Sequence, residues 1–164
     1  MPYLLDANVF ITAKRLHYGF DFCPGFWDWL RAAHRDGLLF SIESVRDELT
    51  GQQDDLAQWI GNLPGGFFLR PGAATLNSYE TVTRWAADPR YSTPARNNFL
   101  NTADYHLVAQ AHEGGHTVVT HEVPAGSPNR IKIPDACVGL GVGCLLPHEL
   151  LRRERARFVL ETNR

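Results

Sequence analysis

An α/β domain built around a mainly parallel sheet is the fold that these 164 residues predict. Three observations lead there. Short apolar runs ("YLL", "LLFSI" and "TVVT") are separated by longer stretches whose apolar residues recur at helical spacing. Strands alternating with helices pack as helices on a sheet. The chain also contains no internal repeat, low-complexity tract or linker, so a single domain over 1–164 is expected.

"YLL" reads as a first strand ended by Asp6, followed by a helix on Val9, Phe10 and Ala13 that stops near Gly19. "PGFWDWLRAAHRDG" reads as a helix from Pro24 to Gly37. Its Phe26, Trp27, Leu30 and Ala33 share a face, so these aromatics read as core rather than as a base-stacking surface. "LLFSI" is a second strand, and "SVRDELTGQQDDLAQWIGNL" a helix with Ser44 as candidate cap and a break near Gly51. "PGGFFLRPG" predicts a loop or edge strand, and "NSYETVTRWAAD" and "PARNNFLNTADYHLVAQAHEGG" predict helices, the latter ended by Gly114 and Gly115. "HTVVTHE" is a third strand, "IKI" a fourth, and "PDACVGLGV" a helix with Pro134 in its first turn. "PHELLRRERARFVLE" predicts a last amphipathic helix at about 147–161.

Composition bounds the function. Hydrophobic residues make up 44% and charged residues 21%, as in ordinary globular domains. No apolar run approaches the ~20 residues of a membrane span, and the N-terminus lacks the basic region of a signal peptide. A cytoplasmic protein is therefore expected. Cys23, Cys137 and Cys144 form no C-x-x-C pair, and such a set reads as reduced thiols packed as small apolar groups. A formal net charge of -2 argues against a protein that coats nucleic acid by bulk positive charge, but leaves room for an enzyme that binds it locally.

The chemistry-bearing feature is a set of acids at strand ends. Asp6, Glu48, Glu122 and Asp135 each follow an expected strand, and Asp104 opens the helix before the third strand. In a parallel sheet, sites form beyond the carboxyl ends of the strands. Carboxylates gathered there repel one another and raise each other's pKa unless a cation neutralises them. Mg²⁺ and Mn²⁺ are hard ions that take oxygen ligands, and they can activate water against a phosphodiester. Four of these acids also have a simpler role: Asp6 as helix cap, Glu48 as one of the neighbours Glu43, Asp47 and Glu48, and Asp104 and Asp135 as first-turn acids favoured by the helix dipole. His112 and His116 are separated by two glycines and do not suggest zinc, whereas His121 reads as an exposed residue, a phosphate contact or a proton carrier. Arg152, Arg153, Arg155 and Arg157 read as a solvated helix face or a patch for phosphate or a partner. No Ser or Cys has a His/Asp partner at a recognisable spacing, so a nucleophilic triad is not supported.

"LLDANVFI", "SVRDEL", "TADYHLVAQA" and "VVTHE", in that order, resemble the PIN-domain ribonucleases, which include VapC-type bacterial toxins. "DANVFITAKRLHYGFDFCPGFWDWL" together with "IKIPDAC" is similar to one PIN-like bacterial subfamily, and the likeness spans Tyr3 to Val142. It implies a three-layer PIN-like fold with a mainly parallel central sheet flanked by helices. Asp6, Glu48 and Asp104 would be metal-ligand acids, with Asn8 and Thr120 supporting them. Glu122 stands where the family commonly has the Asp of "T-x-D", and Asp135 competes with it for the fourth place, which leaves one or two ions open. Lys14 and Arg15 are candidates to hold an RNA backbone. The implied activity is Mg²⁺- or Mn²⁺-dependent endoribonucleolysis leaving a 5′-phosphate and a 3′-hydroxyl. The implied setting is a homodimeric toxin silenced by a cognate antitoxin protein. The competing class is a degenerate PIN-like module that binds RNA or protein without catalysis. Another α/β phosphoryl-transfer enzyme is disfavoured, because no "D-x-D" pair follows the first strand and no Gly-rich phosphate loop is present.

Overall fold

Strand β1 (Tyr3–Leu5) has no exposed residue and sits at the centre of the sheet. In this computed structural model, which describes residues 1–161, β1 is flanked by β2 (Leu39–Ile42) and β4 (Thr117–Val119). The edges are β3 (Phe68–Leu69) on β2 and β5 (Cys144–Leu145) on β4. The order is β3-β2-β1-β4-β5 and every pairing is parallel. Tyr3 faces both Leu39 and Thr117, and Leu5 faces Val119, so the central strands end together at one edge. A parallel sheet is covered on both faces, which is why β1 is apolar without alternation.

The helices are α1 (Ala7–Thr12), α2 (Pro24–Arg35), α3 (Glu43–Leu49), α4 (Asp55–Gly61), α5 (Thr75–Ala86), α6 (Thr93–Leu100), α7 (Ala103–Gly114), α8 (Ile133–Leu140) and α9 (Pro147–Arg153). Among the described residues these nine flank the five-stranded sheet, the three-layer α/β arrangement expected. α1 runs on into a π-helical turn, Ala13–His17. One core cluster links the layers. Phe26, Trp27 and Leu30 of α2 are at most 2% exposed, so the aromatic stretch is core. Trp27 satisfies its indole N–H by donating to the Tyr18 carbonyl at 2.7 Å. The three cysteines are unbridged, and no described helix is long and apolar enough to cross a membrane.

Three expectations are corrected. "IKI" is not a strand: Lys132 is the N-cap of α8 and Ile133 its first residue. Pro134 sits in the first turn and Asp135 accepts the Lys132 N–H at 3.0 Å, which turns the chain into a helix although Ile131 and Ile133 are both buried. The missing strand is β5, two residues too short to show a period. Ser44 does not cap α3, which begins one residue earlier after extended Ile42. The last helix ends at Arg153 rather than near 161: Arg155 takes a left-handed φ of 55°, and Phe158 then turns back onto Phe26 and Tyr18.

Candidate functional site

Asp6 is the residue at which β1 becomes α1. Its backbone is extended, and its Oδ1 accepts the Ala7 N–H at 2.7 Å, so it does cap the helix. The other carboxylate oxygen is also engaged. The Thr120 hydroxyl, one residue beyond β4, donates to Oδ2 at 2.8 Å. That hydroxyl oxygen accepts in turn from Asn8 Nδ2 and from the Glu122 N–H, both at 3.1 Å. Thr120 thereby uses its one proton and both lone pairs. Asn8 closes the network by accepting the His121 N–H through Oδ1 at 3.1 Å. Asn8 and Thr120 thus tie the end of β1 to the end of β4 and fix how Asp6 is presented.

Three more acids reach the same edge from different elements. Glu48 lies on α3, which follows β2 directly, and its residue is exposed. Asp104 is in the first turn of α7, which leads into β4 and so begins at the carboxyl edge of the sheet. Glu122 lies three residues beyond β4; its Oε2 accepts the Ile133 N–H at 2.8 Å and its Oε1 lies 3.7 Å from the Lys132 ammonium.

These carboxylates act on one another. Burial pushes the Asp6 carboxyl up to about 6, against the Thr120 and Ala7 hydrogen bonds, with Glu122 and Glu48 adding repulsion. Burial pushes Asp104 up to about 7, reinforced by Glu122, Asp6 and Glu48 and partly offset by Lys132. Asp104 lacks the hydrogen bonds that favour ionisation of Asp6, so the same neighbours lift it further. Four carboxylates, with the Lys132 ammonium beside only Glu122 and Asp104, leave surplus negative charge in a partly dehydrated place, and all of their donor atoms are oxygen. That donor set suits a hard divalent cation. Among the described residues no group of three or more His, Cys, Asp or Glu side chains is already arranged to hold an ion, and Glu122 is at present turned toward Ile133 and Lys132.

The remaining candidates are used differently. Asp135 accepts the N–H groups of Ala125 and Lys132 through Oδ2, at 3.2 and 3.0 Å, and lines a separate depression with Arg90 and Tyr91. It belongs to the cap of α8 and is not among the main causes of the shifts of Asp6 and Asp104. Lys14 is bound to Asp54 and Asp55 at 3.1 and 2.7 Å, which leaves Arg15 as the exposed cation of the π-helical turn. Both line a cavity with Glu48. His121 is half-buried, and burial together with His17 and His148 holds its pKa down.

Sequence reasoning missed Lys132. As the middle of "IKI" it looked like the outward residue of a strand, and only the helix beginning at Ile133 turns it toward Glu122 and Asp104. Nothing in the spacing flags it.

Neither the curated proteins nor the solved structures contain a match to this chain. A family model described as a domain of unknown function (DUF4411) matches residues 3–158. That match takes in every strand and helix of the fold together with Asp6, Glu48, Asp104 and Glu122, and the chain belongs to the DUF4411 family.

Proposed function

We propose that the protein is a PIN-like endoribonuclease dependent on Mg²⁺ or Mn²⁺. The observation that carries this reading is that Glu48 and Glu122 both push up the buried carboxyls of Asp6 and Asp104, the four coming from separate segments of the chain to one edge of the sheet. These four residues would hold the ion, which supplies charge neutralisation and activation of water toward a phosphodiester. The chain's own groups do the positioning. Thr120 and the Ala7 N–H fix both oxygens of Asp6, and the Ile133 N–H fixes one oxygen of Glu122. Asp104, pushed up to about 7 by burial and its acidic neighbours, holds a proton more readily than an ordinary carboxylate. Asp104 would hold a cation in its ionised form, so affinity should rise with pH. Hydrolysis would join the water oxygen to phosphorus and break the P–O3′ bond, the 3′ oxygen leaving with a proton.

The resemblance of the motifs to VapC-type toxins supports a role as the toxin of a toxin–antitoxin pair, acting as a homodimer in the cytoplasm and silenced by an antitoxin protein. The test is cleavage of total RNA with Mg²⁺ or Mn²⁺, wild type against Asp6→Asn. Loss of cleavage in the variant, and growth arrest on induction that Asp104→Asn relieves, are the expected results. Equal cleavage by both proteins, or by neither, would sink the reading.

A second reading, a non-catalytic binding module, draws on one observation: the Glu122 carboxylate is already satisfied by Ile133 and Lys132. Calorimetric titration with Mn²⁺ separates the two, since the module should show no saturable binding at millimolar ion.

A further inference from the structure

A small cavity of about 180 Å³ opens beside the acids, between α6, the start of α7 and the segment Asn129–Lys132. Asp104 and Glu122 form part of its lining, which also holds groups of a different kind: the amides of Asn98 and Asn129, and the cations Arg130 and Lys132. Phe99, 2% exposed, supplies an apolar wall. The volume is below the ~300–1,000 Å³ of pockets that bury drug-sized ligands. It suits one base, with the attached sugar-phosphate outside it against exposed Arg130.

The lining solves a problem that the acids create. A phosphodiester approaching four carboxylates is repelled, and some fixed positive charge must draw it in. Lys14, on the other flank of Glu48, is bound to Asp54 and Asp55. Arg130 is exposed and has no ion pair among the described residues, while Lys132 stands at a loose 3.7 Å from Glu122. An arginine fork and a lysine ammonium are the usual phosphate ligands. Side-chain amides offer the paired donor and acceptor that read a base edge.

We propose that this cavity binds the nucleotide next to the scissile phosphodiester of a single-stranded RNA, with Arg130 and Lys132 on its phosphate and Asn98 and Asn129 on its base. The inference rests on the nuclease reading above and adds to it the side from which the strand enters and the residues that select the base. Arg130 and Asn98 are both exposed, so truncating either leaves the core intact.

The experiment measures fluorescence-anisotropy binding of a short, labelled, random-sequence single-stranded RNA to the Asp6→Asn protein, which holds the strand uncut. Arg130→Ala, Asn98→Ala and, as control, Arg152→Ala on α9 are added to that background. Arg130→Ala should weaken binding about tenfold and lower the salt slope by about one. Asn98→Ala should weaken it a few-fold and, in the Asp6-containing protein, change the sequence preference of cleavage. Arg152→Ala should do neither. RNA that is bound and cut by the wild type but is indifferent to Arg130→Ala and Asn98→Ala overturns the subsite and leaves the nuclease reading standing. An equal loss with Arg152→Ala also overturns it, as bulk charge. Protein that neither binds nor cuts RNA overturns both.

Discussion

Asp104→Asn is the substitution whose effect follows most directly from the electrostatics. The Asp104 carboxyl is held at about 7 against an ordinary 3.8. Ionising it in place therefore costs about 4 kcal/mol, at about 1.4 kcal/mol per pH unit. Part of that repulsion is shared with Asp6, so about 2–4 kcal/mol is the expected effect at this one position. The sign follows from proton counting. Between about pH 4 and 7 the unfolded chain has lost the Asp104 proton while the folded chain retains it. The folded state then binds more protons, and stability falls as pH rises through that window and is level above it. Asp6, pushed up to about 6, acts in the same direction over a narrower range. Asparagine removes the Asp104 contribution. In chelator, urea unfolding should find Asp104→Asn more stable than wild type by about 2–4 kcal/mol at pH 8 and nearly equal near pH 4. The thermal midpoint at pH 8 should rise by roughly 5–10 °C. Excess Mn²⁺ should reverse the order by stabilising the wild type through binding that the variant has lost. Equal pH slopes for the two proteins, or a variant less stable at pH 8, would refute the account of the cluster.

Three other outcomes are expected. Thr120→Val removes the hydroxyl that donates to Asp6 and accepts from Asn8 and the Glu122 N–H; chemical unfolding should show a loss of about 1–3 kcal/mol, and NMR titration should find the Asp6 carboxyl higher still. Asp135→Ala removes the acceptor of two backbone N–H groups at the start of α8 and should cost about 1–2 kcal/mol in urea. Its Mn²⁺ affinity by calorimetry should match the wild type, and a loss of tenfold or more would return Asp135 to the ligand set. Lys132→Met removes the ammonium beside Glu122 and Asp104. Mn²⁺ binding should tighten several-fold while RNA binding weakens, and a parallel change in the two would show that Lys132 has no separate contact with RNA.

The alternation of strands and helices was legible because each element carries its own period. The "FWDWL" face, the Gly51 break and the edge strand in "PGGFFLRPG" fall where composition predicts them. The last helix was overextended because its amphipathic pattern continues past Arg153, whereas the chain turns at Arg155 to bring Phe158 onto Phe26. Tertiary packing of one aromatic outweighed helical propensity.

By itself, then, the sequence determined the α/β class, the short apolar strands and the acids that follow them, since these depend on local pattern and on where a strand stops. Only the tertiary structure decided which acids share one electrostatic site. Asp135 and Glu122 look alike along the chain and both accept backbone N–H groups at the start of α8, yet only Glu122 comes close enough to Asp104 to be among the main causes of its raised pKa. Lys132 acquired its place the same way, through the direction in which α8 starts. The reason is range. A strand or a cap is set by neighbours a few residues apart, whereas Thr120 meets Asp6 across 114 residues, and only the parallel pairing of β1 with β4 brings them together.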